Sequence, residues 1–149
     1  EGRGVPKSDV RATQLFGMAC DGQYATGCYN LGVMISAGRA NVRDDREAWR
    51  LYNLACDDGV PAACTNLGFF YSEGRAVAKD DAKANALYQK ACDAGNADGC
   101  ANLGYLMATG RSGPQNPVAA TDLFRKACQH GVSTGCTNLA VMFLQSGVQ

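Results

Sequence analysis

Residues 91–104 read ACDAGNADGCANLG, from Ala91 to Gly104. Cys92 and Cys100 lie eight positions apart around an Asp-Ala-Gly turn, and Asn102-Leu103-Gly104 follows directly. Moved by 36 residues, the same stretch recurs around Cys20/Cys28, Cys56/Cys64 and Cys128/Cys136. All eight cysteines belong to it. A fixed period of this length marks a stack of identical supersecondary units. The units are 1–36, 37–72, 73–108 and 109–144, with a remnant at 145–149, and the whole of 1–149 reads as one domain.

Each unit reads as two helices. Ala84, Leu87, Tyr88 and Ala91 fall at i, i+3, i+4 and i+7, one face of a helix. Ser8, Asp44, Asp80 and Asn116 stand just before this first helix in the four units. All are short polar residues that can accept from the orphan amides of a first turn. Glu47, three after Asp44, adds a capping-box pattern, and Pro117 suits a first helical position. Gly59, Gly95 and Gly131 are placed to end the first helix in a left-handed residue, whereas the first unit has Gly22 one position early. The second helix starts near Ala25, Pro61, Ala97 and Ser133 and ends at Gly38, Gly74 and Gly110. Leu67, Phe70 and Tyr71 form its apolar face. One such hairpin cannot bury its own apolar side, so the units must stack. The fold expected is all-α, a right-handed α/α solenoid of about eight helices.

Lys plus Arg and Asp plus Glu number 14 each, so no global charge draws nucleic acid or an anionic membrane. No apolar run approaches the length of a membrane span, so no membrane insertion is expected. The first residues, Glu1-Gly2-Arg3-Gly4, do not read as a signal peptide, and any signal is expected to be removed or to precede this sequence.

The pattern A-x-x-L-Y-x-x-A-C-x-x-G followed by G-C-x-N-L-G-x-x-Y-x-x-G-R resembles Sel1-like repeats, relatives of the tetratricopeptide repeat. The cysteine pairs within 36-residue units resemble the cysteine-rich secreted branch typified by Helicobacter cysteine-rich proteins. The resemblance spans essentially the whole chain. Two departures fall in the last unit: Ala140 replaces the glycine of Gly32, Gly68 and Gly104, and Pro117 replaces an Asp.

In an antiparallel helical hairpin, the first cysteine of each unit ends one helix and the second opens the next. That brings the two within reach of a disulfide. The expected pairs are Cys20–Cys28, Cys56–Cys64, Cys92–Cys100 and Cys128–Cys136, the one pairing that is the same in every unit. The rival readings are reduced core cysteines and zinc. Structural zinc takes four ligands at shorter spacings or with nearby histidines, and His130 is the single histidine. Neither metal nor cofactor is expected. Disulfides imply a periplasmic or secreted protein, with an intermembrane space as a further oxidising compartment.

Catalytic patterns are scarce. G-x-S-x-G, G-x-x-x-x-G-K-[ST], H-E-x-x-H and S-x-x-K are all absent. His130 reads as a loop residue, and Tyr52, Tyr71, Tyr88 and Tyr105 as mostly core. An arginine column, Arg3, Arg39, Arg75 and Arg111, follows the helix-ending glycines. It suits either an anionic partner or bonds to the last carbonyls of its own helix or to the cap of the next.

The positions that vary between units fall on one face of the first helix. They include Arg46, Trp49, Arg50 and Asn53, then Asn85 and Gln89, then Arg125. In stacked hairpins this helix is expected to line the concave side, which makes these seven the candidate partner-binding residues. Trp49 is the only tryptophan, and Trp and Arg are frequent hot spots. The alternative is that Trp49 packs against the first unit near Gly17. Leu139, Met142 and Phe143 leave an apolar stripe on the last helix, which points to a longer array, a covering partner or end-to-end self-association.

The expectation is therefore an exported scaffold that binds a protein or peptide, not an enzyme. The resemblance implies a periplasmic adaptor, a host-interacting secreted protein or an immunity protein. It also implies a rival, an enzyme binding or hydrolysing β-lactams, and a redox or cofactor role is a third reading.

Overall fold

A computed structural model describes residues 8–41 and 43–147, apart from the side chain of residue 146. Arg3 lies outside these residues. Among these residues eight α-helices form four antiparallel hairpins: α1 (Asp9–Asp21) with α2 (Ala25–Ser36), α3 (Asp45–Asp57) with α4 (Pro61–Glu73), α5 (Asp81–Asp93) with α6 (Ala97–Thr109), and α7 (Pro117–Gln129) with α8 (Ser133–Ser146). A 3₁₀ turn at Arg39–Asn41 joins the first two hairpins. No strand occurs among the described residues, and none of these helices is long and apolar enough to cross a membrane.

The start signals act as their chemistry requires. The side chains of Ser8, Asp44, Asp80 and Asn116 accept from backbone amides in the first turns of α1, α3, α5 and α7. The capping box does not close, because the Glu47 carboxylate is held by Arg50 at 2.6 and 2.8 Å instead of returning to the cap. Gly59, Gly95 and Gly131 have φ of +85°, +88° and +82°. In the first hairpin Gly22 does not take that role. Gln23 occupies the left-handed position, with φ +64°.

Each hairpin is pinned by its disulfide, with Cα–Cα separations of 4.5, 4.7, 4.6 and 4.5 Å from the first bridge to the fourth. All eight cysteines are bridged, which removes them as zinc ligands or thiols. Beside the bridges the backbones meet closely. A Cβ on Gly27, Gly99 or Gly135 would stand 2.6–2.8 Å from the methyl of Ala19, Ala91 or Ala127.

Between hairpins the contact is a ring in a socket. Tyr52, Tyr88 and Phe124 of α3, α5 and α7 lie against Gly32, Gly68 and Gly104 of the preceding second helices, where any Cβ would come within 2.9 Å of a ring carbon. Two clusters of buried residues result, one around Leu51, Tyr52, Leu67 and Phe70 and the other around Tyr88, Leu103 and Leu106. Ala140 holds the socket position on α8.

The two sides of the stack differ. Among the described residues α4 touches α6 and α6 touches α8, with no comparable contact between α3 and α5 or between α5 and α7. Long lysines span the wider gap between first helices instead. Lys90 Nζ donates to the carbonyl of Cys56 at 3.0 Å, and Lys126 Nζ to that of Cys92 at 3.3 Å. The second helices α4, α6 and α8 therefore approach their like neighbours more closely than the first helices do.

Candidate functional site

The residues singled out on the first-helix side do not assemble into one site. Trp49 is half-buried and packs against the core shared by the first two hairpins, its Nε1 buried without an acceptor among the described residues. It does not rest on Gly17, where a Cβ would meet nothing within 4 Å. Arg46 is exposed, and Arg50 is engaged by Glu47. Asn53 donates to Asp57 at 3.3 Å, Gln89 to Asp93 at 2.9 Å and Arg125 to Asp122, each within its own helix. Asn85 accepts from the Ser112 hydroxyl at 2.9 Å. Asn53 and Arg125 line separate depressions, the first with Tyr71, Lys83 and Leu87, the second with Val118, Met142 and Phe143.

The arginine column is structural, in a way the sequence reading did not foresee. Arg39, Arg75 and Arg111 each reach back 30 residues to the first-turn aspartate of their own hairpin, Asp9, Asp45 and Asp81. Arg75 and Arg111 bind bidentately, the latter at 3.1 and 2.7 Å, and Arg111 also donates to the Ser72 carbonyl at 2.8 Å. The hydrogen bond from Arg75, ahead of an opposing burial effect, holds the Asp45 carboxyl below its ordinary range. In the fourth hairpin the two columns hold Pro117 and Gly147, so both partners are missing together.

The second-helix side carries a more organised surface. Asn30, Asn66, Asn102 and Asn138 are all half-buried, and the residue one turn on is Val33, Phe69, Tyr105 or Val141. Of these, Phe69, Tyr105 and Val141 are 44%, 47% and 42% exposed. A groove of about 270 Å³ runs across α2, α4 and α6, lined by Tyr29, Thr65, Asn66, Phe69, Asp98 and Asn102, with Ala62 and Asn96 completing it. A second, of about 380 Å³, lies across α6 to α8 and includes Tyr105, Asn138 and Val141. The floor of the first is tied down: the Asn96 side chain accepts from Gly99 N and from the Thr65 hydroxyl, both at 2.8 Å. The Tyr52 hydroxyl faces Ser36 and Asn66, and burial raises its pKa.

In the sequence the asparagines are part of the repeated Asn-Leu-Gly pattern, and the tyrosines read as mostly core. Tyr52 and Tyr88 are core, but Tyr105 belongs to the exposed ladder. The available signal was the alternation of Asn with an apolar residue at i+3, facing the same way in every unit.

The Sel1 repeat profile matches residues 1–24, 25–60, 61–96 and 97–132, each full unit opening on a second helix. The chain belongs to the Sel1 repeat family. Sel1 repeats build protein-interaction scaffolds. Among solved structures, a Sel1 repeat protein from Oxalobacter formigenes is 22% identical, with a TM-score of 0.88 over 96% of this chain and 57% of its own. A protective antigen of uropathogenic Escherichia coli is 26% identical, with a TM-score of 0.84 over 93% of this chain and 30% of its own. The present Sel1 chain thus spans under two thirds of the length of either. Helicobacter pylori cysteine rich protein B is 31% identical, with a TM-score of 0.68 over 93% of this chain and all of its own. No curated protein matches by sequence.

Proposed function

We propose that this Sel1 protein is an exported scaffold whose partner is an extended segment of another protein, laid along the second-helix ladder. One observation carries the reading: half-buried asparagines alternate with apolar side chains at the same two positions of successive second helices, and on α4, α6 and α8 those apolar side chains are exposed. A side-chain amide both donates and accepts, so it can satisfy a peptide group of an incoming backbone. Neighbouring helices lie about 8–10 Å apart. An extended chain rises about 3.3 Å per residue, so one ladder step corresponds to about three residues of ligand. Phe69 and Tyr105 then offer apolar surface to side chains between the amides.

Four disulfides support residence in an oxidising compartment, periplasmic or extracellular. In this reading 1–149 acts as one rigid domain, and the first-helix residues around Trp49 support the stack rather than touch the partner.

Photo-crosslinking residues placed singly at Phe69, Tyr105, Arg46 and Gln89 test this in the native compartment. Adducts to one and the same polypeptide are expected from positions 69 and 105 and from neither control. Adducts from 46 and 89 alone would return the binding face to the first helices and overturn the proposal.

A further inference from the structure

The two grooves of the ladder are almost free of formal charge. Among their lining residues, Asp98 alone is ionisable at neutral pH, and no lysine or arginine lines either groove. Its counterparts in the other units are Thr26, Ala62 and Thr134, so the charge occurs once along the whole ladder. No hydrogen bond or ion pair to the Asp98 carboxylate occurs among the described residues, and the side chain is exposed. As a first-turn acid of α6 it also stabilises that helix terminus. That role accounts for a carboxylate at the terminus, but not for the aromatic side chains in the same groove. Tyr29 and the exposed ring of Phe69 line it with Asp98, and the Asn66 and Asn102 amides flank them. Among the described residues Arg75 is the cation that approaches Phe69, 5.9 Å from the ring centroid, and Asp45 engages its charge.

We infer that the partner segment carries one basic side chain, lysine or arginine, whose charge meets Asp98 while its methylene stem lies on Phe69 and Tyr29. The inference rests on the ladder reading and deepens it. The amides accept any peptide backbone at every step, so they set no register. A single carboxylate on an otherwise neutral track supplies one. It selects a cation at one step and disfavours an acidic residue there, because an unpaired like charge opposes binding. Long basic side chains suit such a pocket, since they bury their stems while the head stays at a charge.

The test is a titration of isotope-labelled protein with three capped pentapeptides at millimolar concentration: acetyl-Ala-Ala-X-Ala-Ala-amide with X lysine, norleucine or glutamate. The lysine peptide is expected to shift the Gly99 and Asn102 backbone amides and to bind about threefold more tightly than the norleucine peptide, with glutamate weakest. Asp98→Asn should make lysine and norleucine equal. Urea unfolding of the variant separates this from loss of fold. Equal binding of lysine and norleucine to the parent protein overturns the charge inference while leaving the ladder standing. Selectivity surviving in Asp98→Asn overturns it too. No shift of groove amides with any peptide, together with no adducts at positions 69 and 105, removes both.

Discussion

A Cβ at Gly68 would stand 2.7 Å from Cε1 of Tyr88, one hairpin further along the chain. The glycine of Asn-Leu-Gly is therefore a socket. It sits in the middle of α4, where glycine weakens a helix by about 1 kcal/mol relative to alanine. The ring it admits is 3% exposed and ties two hairpins together.

Gly68→Ala should destabilise the fold by about 1–3 kcal/mol despite its gain in helix propensity, because the methyl meets a packed ring. Ala140→Gly, in the same column, should also destabilise, but only by the propensity difference of about 1 kcal/mol. Urea unfolding of both variants checks this. A stabilised Gly68→Ala protein would show that the socket has slack.

Asp81→Asn should cost about 1.5–3 kcal/mol, because Arg111 and Asp81 are largely covered, with side chains 23% and 18% exposed. Arg39→Ala should cost under about 1 kcal/mol, since the Arg39–Asp9 pair is open to water. Acid should act on Asp45 in the same direction. Its folded pKa lies below the ordinary 3.8, so its contribution is whole above that value and is lost as pH falls through the folded one. Unfolding curves at neutral and acid pH, compared with Asp45→Asn, measure this.

Tyr88 governs the alkaline side. Burial pushes its pKa up to about 12 from 10.0, so the folded form holds the phenol proton more tightly than the unfolded chain does. The corresponding stability, about 2–3 kcal/mol, is intact below pH 10 and is lost as pH rises through about 12. Tyr88→Phe should flatten this part of the stability–pH curve and leave the smaller Tyr52 contribution. Rapid urea unfolding at about pH 9 and about pH 11.5 reads the difference.

Gln23→Gly should stabilise the protein by about 1 kcal/mol, since the glutamine sits at φ +64° where the other three hairpins use glycine. Thermal melts of parent and variant decide it.

Each bridge closes a loop of about nine residues and contributes about 2.5 kcal/mol in the chain-entropy picture. Full reduction should therefore unfold the chain at ambient temperature, seen as loss of helical circular dichroism with tris(carboxyethyl)phosphine. Eight thiols titrating in unreduced, denatured protein from its native compartment would remove the bridges as a feature of the working molecule.

The hairpins, their caps and their bridges were legible because each depends on neighbours within one unit. Ser8, Asp44, Asp80 and Asn116 cap their helices through atoms two or three residues away. The face that works as a surface was not legible. Trp49 reads in the sequence either as a partner-binding residue or as packing against the first unit, and it is half-buried against the core of the first two hairpins. Tyr105 reads as an interior position in the sequence, yet it stands open to solvent, as does Phe69.

The amino-acid order alone determined the period of 36, the helix pair in each unit and the partner of every cysteine, since all of these are short-range and repeated. Only the tertiary structure decided why Asn-Leu-Gly needs its glycine, where each arginine finds its aspartate and which helices of successive hairpins come closest. These depend on how one hairpin sits on the next. That is set by ring-in-socket packing and by contacts some 20 to 39 residues apart, which no local pattern encodes.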